Sequence, residues 1–134
     1  MSDFFDRYKD WGLLFLRVGL GVAFLFHGVP KLLGGPEKWA GLGGAAMAPL
    51  GISFAPAVWG LMAALSESVG GLLLILGFFF RPACLLLAAT MAVALNMHVS
   101  KGDPFNVYSH AMEDGIVFLA LILIGPGRFV LKRK

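Results

Sequence analysis

The chain has 134 residues, 58% of them apolar and only 14% charged, with a mean hydropathy of +0.81. Average soluble domains carry roughly 25% charged residues, so this balance excludes an ordinary water-soluble domain and points to an integral membrane protein. A single cysteine, Cys84, excludes an internal disulfide and any intramolecular thiol–disulfide relay; the pI near 9.3 rests mostly on Arg128, Lys132, Arg133 and Lys134, which read as a topology signal, not a nucleic-acid surface.

The length predicts one domain, residues 1–134. The opening MSDFFDRYKDWG mixes three aspartates with Arg7 and Lys9, unlike the purely basic start of a signal peptide. A first apolar span is expected over 11–33. The following GGPEKWAGLGGAAMAPLGIS is too interrupted to span; Pro36 can open a short helix there, with Trp39 at the headgroup level, as an interfacial segment or lid. A second span is expected over 55–80, and Arg81-Pro82 then forces a tight hairpin into a third over 83–99. The fourth, over 107–125, has a clean apolar stretch of only eleven residues, 115–125. That is too short for a core of about 30 Å, so the helix must begin earlier and draw His110, Glu113 and Asp114 into the membrane or its boundary.

The expected architecture is thus an all-α membrane protein, an antiparallel four-transmembrane-helix bundle with an interfacial segment between the first two helices. Four spans place both termini on one side. Arg7, Lys9, Arg81, Arg128, Lys132, Arg133 and Lys134 share that side, against Lys31, Lys38 and Lys101 opposite. The excess predicts both termini in the cytoplasm.

Ionisable residues within spans are costly and mark functional sites by default. Glu67 stands in the middle of 57–80, where Ser66 and Ser68 are the only other hydroxyl or charged residues. At about 1.5 Å of rise per residue, Glu67, Glu113 and Asp114 lie roughly 17–20 Å from the terminal side, and His27, Asn96 and His98 roughly 21–24 Å. Lys31 comes near the outer boundary, and Arg17 much nearer the terminal side. This common height predicts a shared polar layer. The faces agree: Arg17, Gly21, Phe24, Gly28 and Lys31 form one stripe; Gly60, Ala63, Gly70 and Gly77 accompany Glu67; Leu87, Met91, Ala94 and His98 form a third. Each has a plainer reading as well: a snorkelling or paired Arg17, helix-end His27 and His98, a structural hydrogen bond at Glu67.

The order of these residues resembles the DoxX family. The carriers are Arg17, Gly21, Phe24, His27, Gly28 and Lys31 on the first span, then Glu67, Gly70, Gly71, Gly77 and Arg81. Met91 with His98 and the closing Gly125-Pro126-Gly127-Arg128 complete the set. The resemblance implies a small four-helix bacterial inner-membrane protein. Its DoxD relatives are subunits of a thiosulfate:quinone oxidoreductase, and other members are linked to membrane oxidoreductase complexes.

Four functions compete. A redox subunit would hold a quinone or another small redox partner, with Glu67, His98, His27, Asp114 and Glu113 handling protons and Arg17, Phe24, Trp59 and Lys31 contacting the ligand. Electrons would come from a partner redox protein or bound cofactor, because the chain has no cysteine pair, dinucleotide fingerprint or flavin motif. A metal or haem site would draw on His27, His98 and His110, although the spacings match no strong motif. A non-catalytic anchor or assembly subunit, alone or as a homo-oligomer, would pair Arg17 with Glu67. A small transporter lacks the expected inverted repeat and broken helix.

Overall fold

The structure, a computed structural model, describes residues 2–131. Lys132, Arg133 and Lys134, which enter the topology argument, lie outside the described residues. A short helix α1 (Ser2–Asp6) leads into α2 (Lys9–Leu33). There follow α3 (Pro36–Met47), a 3-10 turn at Ala48–Leu50, then α4 (Pro56–Leu76), α5 (Phe80–Ser100) and α6 (Phe105–Ile124). Helices α2, α4, α5 and α6 are each long and apolar enough to cross a bilayer, and no strand occurs among the described residues. The architecture is a four-helix membrane bundle.

Local chemistry explains the helix ends. Pro36 opens α3 because its fixed φ suits the first helical turn, and Gly35 before it takes φ +87°. The interfacial segment is therefore a 12-residue helix. Helix α4 stops at Leu76, short of residue 80, because Gly77 turns left-handed at φ +68°. The Gly77 and Phe78 N–H groups then fold back onto the Leu73 carbonyl. Arg81 and Pro82 fall inside the first turn of α5, where proline removes no helical bond. The hairpin is thus residues 77–79. Helix α6 begins at Phe105, after Pro104, and so carries His110, Glu113 and Asp114 within regular helix.

Close backbone approach sets the packing. A Cβ on Gly21 would stand 2.5 Å from the Gly71 carbonyl, and one on Gly28 would stand 2.5 Å from the Ser68 nitrogen. Helices α2 and α4 therefore meet backbone to backbone, as small residues allow in a membrane. Helix α3 meets α4 the same way, through Gly43 against Pro56 and Gly60 against Trp39. Half-buried Trp39 donates its Nε1–H to the Lys31 carbonyl at 2.9 Å. Phe24, Leu74, Cys84, Leu87, Met91, Phe118 and Leu121 fill the core between the spans.

The end of the bundle that holds both described termini is laced by arginines. Arg17 is fully buried. Its Nε–H donates to the Leu74 carbonyl at 2.9 Å and Nη2 to Ile75 at 2.9 Å, while Nη1 donates to Phe129 at 2.7 Å and Pro126 at 3.1 Å. Arg81 donates to the Ile122 carbonyl at 2.8 Å, and Asp10 accepts from the Arg128 N–H at 3.1 Å. The orphan carbonyls at the ends of α4 and α6 are thus met by side chains of other segments.

A lysine at position 17 keeps the charge but loses the planar fork that serves four carbonyls. Arg17→Lys is expected to cost about 3 kcal/mol or more, seen as a clear fall in the midpoint of thermal unfolding in detergent. An unchanged midpoint would show that the fold does not depend on the guanidinium's four carbonyl contacts.

Candidate functional site: a groove between α3, α4 and α5

Because α3 leans on α4 through glycines, a groove of about 490 Å³ is left between α3, α4 and α5. Leu42, Ala46 and Met47 of α3 form one wall, Trp59, Met62 and Ala63 of α4 the floor, and Leu86, Ala89, Val93 and Met97 of α5 the other wall. Met62 is 50% and Leu86 48% exposed, so the groove opens on the lipid-facing side. Its volume and apolar lining fit the usual class of small-molecule sites.

Two polar pairs interrupt that lining. Lys31 Nζ donates to both Glu67 oxygens, at 2.9 and 3.1 Å. The Glu67 side chain is 7% exposed and that of Lys31 31%, so the carboxylate is enclosed while the ammonium keeps a route outward. Gly28 makes this contact possible: it brings α2 against the Glu67 backbone, and Lys31 lies one turn further on. The second pair is Ser66 and Thr90, whose hydroxyls are 2.8 Å apart, with Thr90 also donating to the Leu86 carbonyl at 2.9 Å. Lys101 stands at the outer rim.

The comparisons with known proteins agree with this architecture. The DoxX family model matches residues 12–99. The chain belongs to the DoxX family. This DoxX chain is 33% identical over 135 residues to an uncharacterized protein of Haemophilus influenzae, covering 96% of the chain and 94% of that protein. It is 30% identical over 145 residues to the inner membrane protein YphA of Escherichia coli, covering 96% and 97%. No solved structure matches. Four apolar helices and an inner-membrane relative make this DoxX chain a multi-pass inner-membrane protein, with the lipid bilayer as its surroundings.

The candidate site residues read from the sequence fall in several places. Glu67, Lys31 and Trp59 share the groove. Trp59 donates its Nε1–H to the Phe54 carbonyl at 3.1 Å. Phe24 is buried in the core instead, packed on Phe118 at 5.1 Å between ring centres and on His27 at 6.0 Å. Arg17 is at the opposite end of the bundle on its four carbonyls, so Glu67 pairs with Lys31 and not with Arg17. His98 Nδ1 lies 2.7 Å from Asp103 Oδ2 beyond the end of α5. Exposed Asn96 does not line the groove. His27, His110 and Glu113 are exposed, with half-buried Asp114 within electrostatic reach of all three. Among the described residues no three His, Cys, Asp or Glu are grouped so as to hold a metal ion. A common depth had hidden these separations, because residues at one height can face different sides.

Sequence reading missed the Ser66–Thr90 pair, while the segment expected as an interfacial segment or lid supplies, as α3, one wall of the groove. The signal for the pair was present: Ser66 precedes Glu67, and Thr90 is the one hydroxyl residue within 83–99.

Removing one partner of an enclosed ion pair strands the other, whereas removing both does not. Lys31→Met is therefore expected to destabilise the fold by about 3 kcal/mol. Adding Glu67→Met should recover most of that loss, read as thermal midpoints across the four-variant cycle. Simple additivity of the two losses would mean that the pair is uncoupled.

Proposed function

We propose that this chain is the membrane subunit of a redox system and holds a quinone, or a similar small lipophilic redox partner, in the groove. The observation that carries the reading is the enclosed Glu67–Lys31 pair at the wall of an apolar groove open to lipid. A quinone head needs hydrogen bonds at its carbonyl oxygens, an apolar slot for ring and tail, and protons when it is reduced. Lys31 has a third N–H beyond the two given to Glu67 and offers it to one carbonyl. The Ser66 hydroxyl, which donates to Thr90 while Thr90 donates to Leu86, would turn from Thr90 to serve the other.

Reduction to the quinol takes two electrons and two protons. The electrons arrive from a partner protein's redox group; the protons pass through Lys31 and Glu67 from the exposed side of the pair. General acid–base groups of this kind contribute about a hundredfold or more. His27, His98, Glu113 and Asp114 do not line the groove, so the reading rests on Glu67 and Lys31.

A second reading has its own support: both Glu67 oxygens are engaged by Lys31, as in a pin that fixes α2 on α4 within an anchor subunit. Two variants separate the two readings. Ala63→Phe places a ring in the groove and leaves both charges of the pair in place, and Glu67→Gln removes one of them. On the redox reading, Ala63→Phe abolishes quinone-analogue quenching of tryptophan fluorescence in purified protein. Glu67→Gln then lowers quinone-linked electron flow in membranes by about a hundredfold. Normal quenching in Ala63→Phe with normal flow in Glu67→Gln would leave the pin alone standing.

We further propose that both termini are cytoplasmic. Arg7, Lys9, Arg81 and Arg128 lie at the terminal end, against Lys31, Lys38 and Lys101 opposite, and Lys31 is engaged with Glu67. A carboxy-terminal alkaline phosphatase fusion should be inactive and a green fluorescent protein fusion bright; the reverse pattern would invert the topology.

A further inference from the structure

Four ionisable groups are left over by the groove, and they stand where a lone bundle cannot easily keep them. Helix α6 packs on α5 and reaches α2 through the Phe24–Phe118 ring contact. One turn beyond that contact, towards the outer end, come His27 on α2 and Asp114 on α6, with His110 and Glu113 beside them. His27, His110 and Glu113 are exposed. Glu113 is eight residues from the start of a 20-residue span, so it lies about 12 Å inside the helix end, near the middle of a bilayer core of about 30 Å. Lipid tails offer such groups no partner, and ionisable side chains at that depth face protein or a water-filled cavity.

We propose that a second copy of this chain covers the α2/α6 face, related by a two-fold axis along the membrane normal. The donors and acceptors on the face favour a copy over an unrelated partner. Two imidazoles that donate N–H groups and two carboxylates that accept them make the patch complementary to itself, whereas a partner offering only acceptors or only donors would leave half of it unmatched. Copies inserted in the same sense meet at equal depth. In a parallel pair each residue lies beside its own counterpart and those one turn away, so His110 of one copy reaches Glu113 of the other. Such an isologous contact uses the same patch twice and closes as a dimer. Asn106, Glu113 and Ala120 repeat every seven residues, marking the flank of α6 that lies along the seam, and all three are exposed. Leu119, 56% exposed, lies on the other flank.

Single-cysteine variants test this without removing any charge. In a Cys84→Ala background, Asn106→Cys and Ala120→Cys should cross-link in native membranes, by copper-phenanthroline or a short bismaleimide, to a species of twice 14.3 kDa. Leu119→Cys should stay monomeric. Adding His110→Leu with Glu113→Leu to Ala120→Cys should cut the cross-linked yield at least tenfold, while size-exclusion profiles report whether that variant is folded. The proposal is overturned if neither seam position cross-links, if Leu119→Cys cross-links as well as they do, or if the product contains a different protein. One-step photobleaching of tagged wild-type protein in dilute vesicles would overturn it equally.

Discussion

The fold depends on one buried guanidinium. A bilayer core offers no water to the carbonyls at a helix end, so each must be met by the chain itself. Arg17 meets four of them at once, two at the end of α4 and two in the segment after α6. Hydrogen bonds from a charged donor are worth about 1.5–3 kcal/mol each, and their loss would strand both partners. This single side chain therefore fixes the axial position of α2 against α4 and folds the chain's last described segment back over the bundle. Gly77 belongs to the same device, since a Cβ there would fall 2.5 Å from the Arg17 Nη2.

Once that end is fixed, the glycines of α2 carry the register along the helix. Gly21 on Gly71 and Gly28 on Ser68 keep the two backbones in contact over about two turns. Lys31, on the same stripe as Arg17, then arrives at Glu67. Two cations fourteen residues apart on one face thus hold the two ends of a helix pair, one through backbone carbonyls and one through a carboxylate. The groove follows from the same geometry. Close glycine contacts pull α3 onto α4, while Leu86, Ala89 and Val93 of α5 stand back and leave the space open.

Much of this was legible in the sequence because it depends on one coordinate, position along a helix. The four spans, the helix opened by Pro36 and the stripe Arg17, Gly21, Phe24 and Gly28 all follow from periodicity and punctuation, and those four are the buried residues of α2. Position around the helix axis was not legible to the same degree. Depth counting put Glu67, His27, His98, Glu113 and Asp114 in one layer, yet they face three regions: the groove, the α2/α6 side and the outer loop. Glu67 needed a cation, and Arg17 and Lys31 were both on the right stripe. The choice rests on reach, since Arg17 is some 20 Å further along the helix than Lys31.

His27 and Gly28 are adjacent in the chain and look to different sides, and this divides the labour of α2. Gly28 gives the close approach that places Lys31 beside Glu67, and the helical turn then directs the neighbouring residue outward to the α6 side. Any proton reaching the groove by way of Lys31 thus comes from the outer end, where the Lys31 side chain is 31% exposed and Lys101 stands at the rim. The histidines are not on that path. Helix α2 thus reaches the apolar groove through Lys31 and the α6 side through His27, while Phe15 and Phe26 face outward. A change at one site that shifts α2 along its axis is resisted at the other end by the four carbonyls on Arg17.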